Sequence, residues 1–131
     1  MMLIDKDLLK KISEEAENSP RLRMNYNFHD SLDAPAQRLL NALQPGTQLP
    51  IHRHQHTSET YILLQGKIRV LFYNENKMVI DSSILDPSES VFGVHIPIGQ
   101  WHTIEVLESN SVIFEVKDGP YMPINNLDIL A

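Results

Sequence analysis

The sequence predicts an all-β fold, an antiparallel sandwich or barrel preceded by one short α-helix. Seven short runs of β-prone residues follow one another between residues 37 and 117, and turn-forming residues separate them. A helical pattern occurs only at the N-terminus. A chain of 131 residues provides for one domain but not for two. We therefore expect a single domain over 1–131, with an N-terminal helix and arm over 1–35, a β-barrel over 36–118 and a tail over 119–131.

The N-terminal helix is predicted from the spacing of its apolar residues. Asp5 precedes this pattern as a plausible N-cap, and Asn18-Ser19-Pro20 ends it. From Arg21 to Pro35 the chain is polar and is predicted to be irregular. The apolar residues at helical spacing are Leu8, Leu9, Ile12 and Ala16.

Each predicted strand ends at a cluster of turn residues, as at Gln44-Pro45-Gly46 and Asp86-Pro87-Ser88. The predicted strands are Gln37–Leu43, Glu59–Leu64, Lys67–Tyr73, Lys77–Leu85, Ser90–Ile96, Trp101–Leu107 and Ser111–Lys117. The tail begins with Gly119-Pro120, which disfavours a helix. It then carries three large aliphatic residues, so we expect it to pack across the barrel. These residues are Leu127, Ile129 and Leu130.

Charge and composition exclude several classes of function. The net charge is −6 and no run of Lys or Arg occurs, so nucleic acid is not an expected partner. No stretch approaches the roughly 18 apolar residues of a membrane span, and the N-terminus lacks the features of a signal peptide. We expect a cytoplasmic protein with no membrane partner. The absence of cysteine means that any metal must be held by nitrogen and oxygen ligands, and it leaves the redox compartment open.

Four residues are predicted to bind one metal ion. Three histidines fall within five residues, and Glu59 follows three positions later. Side chains two positions apart on a strand share a face, so His52 and His54 can reach one point, and Glu59 can join them from the next strand. His102, at the beginning of another predicted strand, is the best candidate for a third nitrogen ligand. His56 could replace one member of the histidine pair.

The spacing of these residues resembles the cupin motifs. The first cupin motif, G-x5-H-x-H-x4-E-x6-G, is matched at every position by Gly46, His52, His54, Glu59 and Gly66. The second, G-x5-P-x-G-x2-H-x3-N, is matched by Pro97, Gly99 and His102, whereas Val91 and Val106 depart from it. The resemblance implies a double-stranded β-helix with one metal held by His52, His54, Glu59 and His102. It also leaves His56 as a loop residue or as a residue that contacts one of the ligands, because a His54–His56 pair would break the spacing from Gly46.

Several longer segments look like the WbuC family of small cupin-fold metalloproteins. The segments are Asn25–His29, His52–His54, Ile96-Pro97 with Trp101-His102, and Phe114–Tyr121. Members of that family are encoded among genes for O-antigen and other surface-polysaccharide synthesis. The resemblance therefore implies a sugar-derived small-molecule ligand.

A ligand pocket is predicted beside the metal. Tyr61 follows Glu59 by two positions and is expected to share its inward face. Arg38 and Asn41 lie on opposite faces of their strand, so at most one of them can contact a ligand. His29 could form a hydrogen bond within the N-terminal arm or could cap the barrel near the metal, and the sequence favours neither.

Other polar residues are predicted to have structural or solvent-exposed roles. His95 lies between two apolar residues and is expected to face outward. Glu115 and Lys117 alternate with Val112, Phe114 and Val116, so the plain interpretation places both charges in water unless the face is inverted.

Three imidazoles and one carboxylate suit one divalent ion of Fe, Mn, Ni or Zn. Four protein ligands leave open positions on a six-coordinate metal, which is typical of catalytic sites. Three functions follow: a metal-dependent enzyme acting on a sugar or nucleotide-sugar, an Fe(II)-dependent dioxygenase, or a non-catalytic binding or sensing module. The resemblance favours the first. We also expect a homodimer, because cupins commonly dimerise and Leu127, Ile129 and Leu130 could supply the contact.

Overall fold

The computed structural model describes residues 1–130 of the chain, as one α-helix and ten β-strands. The last residue of the predicted 119–131 tail lies outside the described residues. The helix is α1 (Lys6–Glu17), and the strands are β1 (Arg23–Asn27), β2 (Ala36–Leu43), β3 (Ile51–His52), β4 (Glu59–Gln65), β5 (Ile68–Tyr73), β6 (Val79–Leu85), β7 (Gly93–Ile96), β8 (Trp101–Val106), β9 (Ser111–Asp118) and β10 (Ile129–Leu130). No helix among these residues is long and apolar enough to cross a membrane.

The strands form two antiparallel five-stranded sheets. Their orders are β1-β2-β9-β4-β7 and β10-β3-β8-β5-β6. The non-consecutive neighbours β2-β9 and β5-β8 are the crossovers of a jelly-roll, so the predicted all-β class with one N-terminal helix is confirmed. The core between the sheets consists of Leu43, Tyr61, Leu63, Ile68, Val70, Leu85, Ile96, Ile104, Val106 and Ile113.

The helix α1 covers the outer face of the first sheet. Asp5 caps it by accepting a hydrogen bond from the backbone N–H of Leu8. Its apolar side packs against outward-facing residues of β2 and β9 in a second apolar cluster, formed by Leu9, Ile12, Ala16, Leu40, Ala42 and Val112. Strands β2 and β9 are therefore buried on both faces where α1 crosses them.

The segment predicted to be irregular, from Arg21 to Pro35, contains a strand. Within it β1 pairs with β2 from Arg23↔Leu43 to Asn27↔Leu39. The strand has the sequence Arg-Met-Asn-Tyr-Asn, so polar and apolar residues alternate over only five positions, and Met24 and Tyr26 face the second apolar cluster.

The tail packs across the second sheet through Ile129 and Leu130, whereas Leu127, also expected to pack there, is exposed. Strand β10 pairs with β3, with Ile129 opposite His52. Asp128 accepts hydrogen bonds from the side chains of Arg53 and Gln55, and the backbone N–H of Arg53 donates to its carbonyl oxygen. The tail is therefore attached to the segment that carries the predicted metal ligands.

Candidate metal centre

The four predicted metal ligands converge on one point between the sheets. The potential ligand atoms of His52, His54, Glu59 and His102 all lie within 4.8 Å of one another. Ligand atoms about 2.1 Å from a common metal are separated by about 3 to 4 Å. The observed separations are close to this range, so small side-chain movements bring all four onto one ion.

Three strands and one loop bring these residues together. His52 in β3 lies directly opposite His102 in β8, and their ring centroids are 4.3 Å apart. Glu59 begins β4 in the facing sheet. His54 lies in the loop after β3, because β3 ends at His52. The expectation that one strand presents both His52 and His54 is therefore corrected to one strand residue and one loop residue.

The loop that carries His54 is held at both ends. The backbone N–H of Gly99 donates to the carbonyl oxygen of His54 at 2.8 Å. Gly99 has a φ of +79°, a conformation that favours glycine. At the other end, the backbone N–H of Asp118 donates to the Thr57 hydroxyl at 2.9 Å. These contacts fix the position of the imidazole without using its ring nitrogens.

Two of the imidazoles are oriented by backbone carbonyls. Nδ1 of His52 lies 2.9 Å from the carbonyl oxygen of Pro50, and Nδ1 of His102 lies 2.8 Å from that of Gln100. A carbonyl only accepts, so each Nδ1 carries the proton and donates it. The Nε2 lone pair of each ring is then free to bind a metal, the usual arrangement around metal-bound histidines.

The carboxylate of Glu59 has one satisfied and one unsatisfied oxygen. The Tyr61 hydroxyl donates to Oε2 at 2.9 Å, which confirms that the two residues share a face. Oε1 lies 2.6 Å from Nε2 of His54 and 3.7 Å from Nε2 of His102, but it makes no hydrogen bond, and neither does the His102 nitrogen, although both atoms are buried. Buried unpaired polar atoms are costly, and a divalent cation between them would satisfy both. The donor set therefore fits a metal ion.

The electrostatics of the site favour the protonation states that metal binding requires. Burial, reinforced by the neighbouring His102, lowers the pKa of His52 to about 4, and burial also lowers the pKa of His102. Burial opposes ionisation of Glu59, but the adjacent His54 and the charge of Lys117 outweigh it and lower the Glu59 pKa to about 2. Neutral imidazoles and an ionised carboxylate are the forms that bind metals.

Comparisons with known proteins place this chain in a family and a fold. A family model described as "Domain of unknown function (DUF6016)" matches residues 4–85. The chain belongs to this family. The matched segment contains His52, His54 and Glu59 but ends before His102. No curated protein matches the sequence.

The similarity to solved structures shows that this chain has a cupin fold. The capsular polysaccharide assembling protein CapF from Staphylococcus aureus superposes with a TM-score of 0.63 and 23% identity over 76% of this chain. KdgF from Halomonas sp. superposes with a TM-score of 0.60 and 17% identity, over 79% of this chain and 84% of its own chain. The cupin domain of Cnp3 from Schizosaccharomyces pombe superposes with a TM-score of 0.58 and 12% identity, over 80% of this chain and 66% of its own chain. This chain matches only 27% of the length of CapF.

A pocket of about 240 Å³ opens beside the four candidate metal ligands. Tyr61 and Asn41, two of the residues expected to contact a ligand, line it. The other lining residues are Arg21, Arg23, Asn25, Leu49, Ile104, Glu115, Lys117, Tyr121, Met122 and Ile124, together with the four candidate metal ligands.

Two residues predicted to line the pocket do not. Arg38 is exposed on the face of β2 opposite to Asn41. His29 is buried, but its Nδ1 accepts a hydrogen bond from the backbone N–H of Arg38 at 3.2 Å. This contact places His29 beside the β2 backbone in the N-terminal segment, which is the other of its two predicted positions. The structure therefore places neither His29 nor Arg38 in the wall of this pocket.

The prediction that Glu115 faces water is also wrong. Its side chain is 7% exposed and lines the pocket, and Lys117 lines the pocket as well. The apolar residues that alternate with them face outward instead, where α1 covers Val112 and Phe114. The alternation is visible in the sequence. Because α1 covers the outer face, the apolar residues of β9 face the helix and the charged residues face the pocket.

Glu115 is the residue of the pocket wall that sequence reasoning missed most clearly. Asn41 donates a hydrogen bond to its Oε1 at 3.1 Å. Burial, with a further contribution from the negative charge of Glu59, raises the pKa of Glu115 to about 7. The chain thus places a carboxyl group that titrates near neutrality beside the candidate metal site. His95 is exposed, as predicted, and His56 is an exposed residue of the loop after β3.

Proposed function

We propose that this single-domain cupin binds one divalent ion of Fe, Mn, Ni or Zn through His52, His54, Glu59 and His102, and that it is a metal-dependent enzyme acting on a sugar or nucleotide-sugar. One observation carries the proposal. A buried carboxylate oxygen of Glu59 and a buried ring nitrogen of His102 lie 3.7 Å apart, and neither has a hydrogen-bond partner. A bound divalent ion would supply a Lewis acid that polarises a carbonyl or vicinal hydroxyls.

Glu115 is the residue placed to move a proton. It is buried in the wall of the pocket that the metal ligands also line, and its one hydrogen bond to another side chain comes from Asn41 among residues 1–130. A carboxyl group with a pKa near 7 can both accept and donate a proton at neutral pH. Tyr61 has a positioning role, because its hydroxyl donates a hydrogen bond to Glu59 and orients that candidate ligand.

The sugar assignment has further support. The pocket is lined largely by polar and charged side chains, which suits a hydroxylated ligand. The resemblance to the WbuC family, and the fold shared with CapF, a capsular polysaccharide assembling protein, support a role in surface-polysaccharide synthesis. Such a role implies a cytoplasmic location. We also propose a homodimer in which the 80% exposed Leu127 contributes to the contact.

The proposal is tested by metal analysis and by proton exchange. The protein as purified is assayed for Fe, Mn, Ni and Zn, alongside His102→Ala and the exposed control His56→Ala. The metal-loaded protein is then incubated in D₂O with keto-sugar phosphates and nucleotide-sugars, and deuterium incorporation is followed by NMR. Glu115→Gln is compared with Glu105→Gln, a matched change at an exposed strand glutamate.

We expect about one metal per chain in the wild type and in His56→Ala, and loss of metal in His102→Ala. Deuterium should enter a sugar carbon with the wild type and with Glu105→Gln. It should not enter with Glu115→Gln, although that variant keeps its metal. Tight binding of a sugar without exchange would refute the enzyme assignment, and absence of metal from the wild type after reconstitution would refute the metal site.

A further inference from the structure

Two arginines lie where the metal pocket meets a second cavity. Arg21 and Arg23 line the pocket of about 240 Å³ and also an adjoining cavity of about 280 Å³. Neither guanidinium forms an ion pair with a carboxylate of residues 1–130. The pocket wall therefore contains two positive charges that the chain itself does not neutralise.

The turn after β2 holds these arginines in position. Nη1 of Arg23 donates to the carbonyl oxygen of Gln48 at 2.8 Å. The Thr47 hydroxyl donates to the carbonyl oxygen of Arg21 at 2.7 Å and lies 3.5 Å from Arg23 Nη1. Between the arginines, Leu22 has a φ of +57°, a conformation that bulky residues rarely adopt and that is concentrated at functional sites. The Arg23 guanidinium and the backbone of Arg21 are thus held by the surrounding chain before any ligand binds.

The like charges affect each other. Partial burial, and then the charge of Arg21, lowers the pKa of Arg23. Lys117 adds a third cation to the same pocket, whose two carboxylates are Glu59 and Glu115. With a divalent ion at the four ligands, the pocket as a whole is positive, so it is complementary to an anion.

We propose that Arg21 and Arg23 form a phosphate subsite, and that the ligand of this cupin is a phosphorylated sugar or a nucleotide-sugar that reaches the metal ligands from that subsite. This inference rests on the proposed function. Two guanidiniums match a phosphate better than a single carboxylate, because a phosphate carries up to two charges and more acceptor oxygens for their fixed N–H groups. Arg21 and Arg23 act as binding residues and take no part in proton transfer.

The test uses calorimetric titration of the full chain with inorganic phosphate, glucose 1-phosphate, glucose and acetate. Each titration is done with the metal-loaded protein and again after chelation, because phosphate can also bind a metal directly. The double variant Arg21→Gln/Arg23→Gln is compared with Arg38→Gln/Arg69→Gln. The control pair removes the same charge from side chains outside the pocket. Metal content and thermal unfolding are measured for every variant.

We expect glucose 1-phosphate to bind at least tenfold more weakly to Arg21→Gln/Arg23→Gln than to the wild type and the control pair, with metal content and unfolding temperature unchanged. Inorganic phosphate should still bind to the chelated wild type. Equal phosphate affinity in both double variants would overturn the subsite, and so would preferential binding of acetate. A protein that binds no metal but loses phosphate affinity in Arg21→Gln/Arg23→Gln would refute the metal site and leave the phosphate subsite standing.

Discussion

Replacement of Glu115 by Gln should change how the stability of the metal-free protein depends on pH. In the folded chain the pKa of Glu115 is raised from 4.5 to about 7 by burial and by the charge of Glu59. Between these values the unfolded chain releases the proton while the folded chain keeps it. Because the folded state binds more protons there, the free energy of unfolding falls as pH rises. The stabilisation is fully present below pH 4.5 and is lost by about pH 7.

The magnitude follows from the two pKa values. Each pKa unit of difference corresponds to about 1.4 kcal/mol. The contribution of Glu115 to the free energy of unfolding is therefore lower by about 3 kcal/mol at about pH 7.5 than at about pH 4. The side chain is 7% exposed, so solvent screens the effect little. His52 acts in the opposite direction, because its pKa is lowered to about 4 and its neutral form stabilises the protein as pH rises from about 4 to 6.5. The wild-type profile is therefore a sum of opposing effects, and only the difference from a variant isolates Glu115.

The assay is urea unfolding of chelator-treated wild type, Glu115→Gln and the control Glu105→Gln at about pH 4, 5.5 and 7.5. The amide introduced by Glu115→Gln has an oxygen that can accept from Asn41, so the variant preserves this hydrogen bond. Relative to the wild type, Glu115→Gln should gain about 3 kcal/mol in unfolding free energy between the lowest and the highest pH, whereas Glu105→Gln should gain none. A constant difference across this range would show that folding does not raise the pKa of Glu115 and would refute the reasoning.

Three further outcomes are expected. His102→Ala should weaken metal binding at least about 100-fold by removing one of four ligands, measured by competition with a chelator, whereas His56→Ala should not. Tyr61→Phe removes the hydrogen bond to the carboxylate ligand and should weaken metal binding about tenfold in the same assay. Ile113→Ala, in the fully buried core, should lower the unfolding free energy by about 2 to 5 kcal/mol in urea, and the exposed Ile80→Ala by less than about 0.5; similar losses would contradict the core assignment.

Local sequence patterns are sufficient to predict the helix, seven strands and the four candidate ligands. The N-cap Asp5 and the apolar spacing behind it determine α1 through contacts within a few residues. The spacing of His52, His54 and Glu59 places them within two neighbouring elements, and the structure brings His102 to the same point. These features depend on short-range geometry, which periodicity reports directly.

The pocket wall could not be predicted in the same way. Which face of β9 points inward depends on α1, a helix distant in sequence. Because α1 packs on the outer face of the sheet, apolar residues of β9 are buried there. Alternation identifies two faces but does not say which one another element covers, so the plain interpretation of the pattern places Glu115 in solvent. For the same reason the sequence leaves Asn41 and Arg38 as alternatives, and the position of β2 between α1 and the core decides between them.

The fold class and the candidate ligands are predictable from the sequence, because they follow from residue types at short spacings within each segment and, for His102, from the neighbouring Pro97 and Gly99. The surroundings of those ligands depend instead on how distant segments pack together. Arg21 and Arg23 precede the barrel, Glu115 lies in the last long strand, and Tyr121 belongs to the tail, yet all four line one pocket. Their meeting depends on sheet order and on packing between segments up to about a hundred residues apart, which no local pattern encodes.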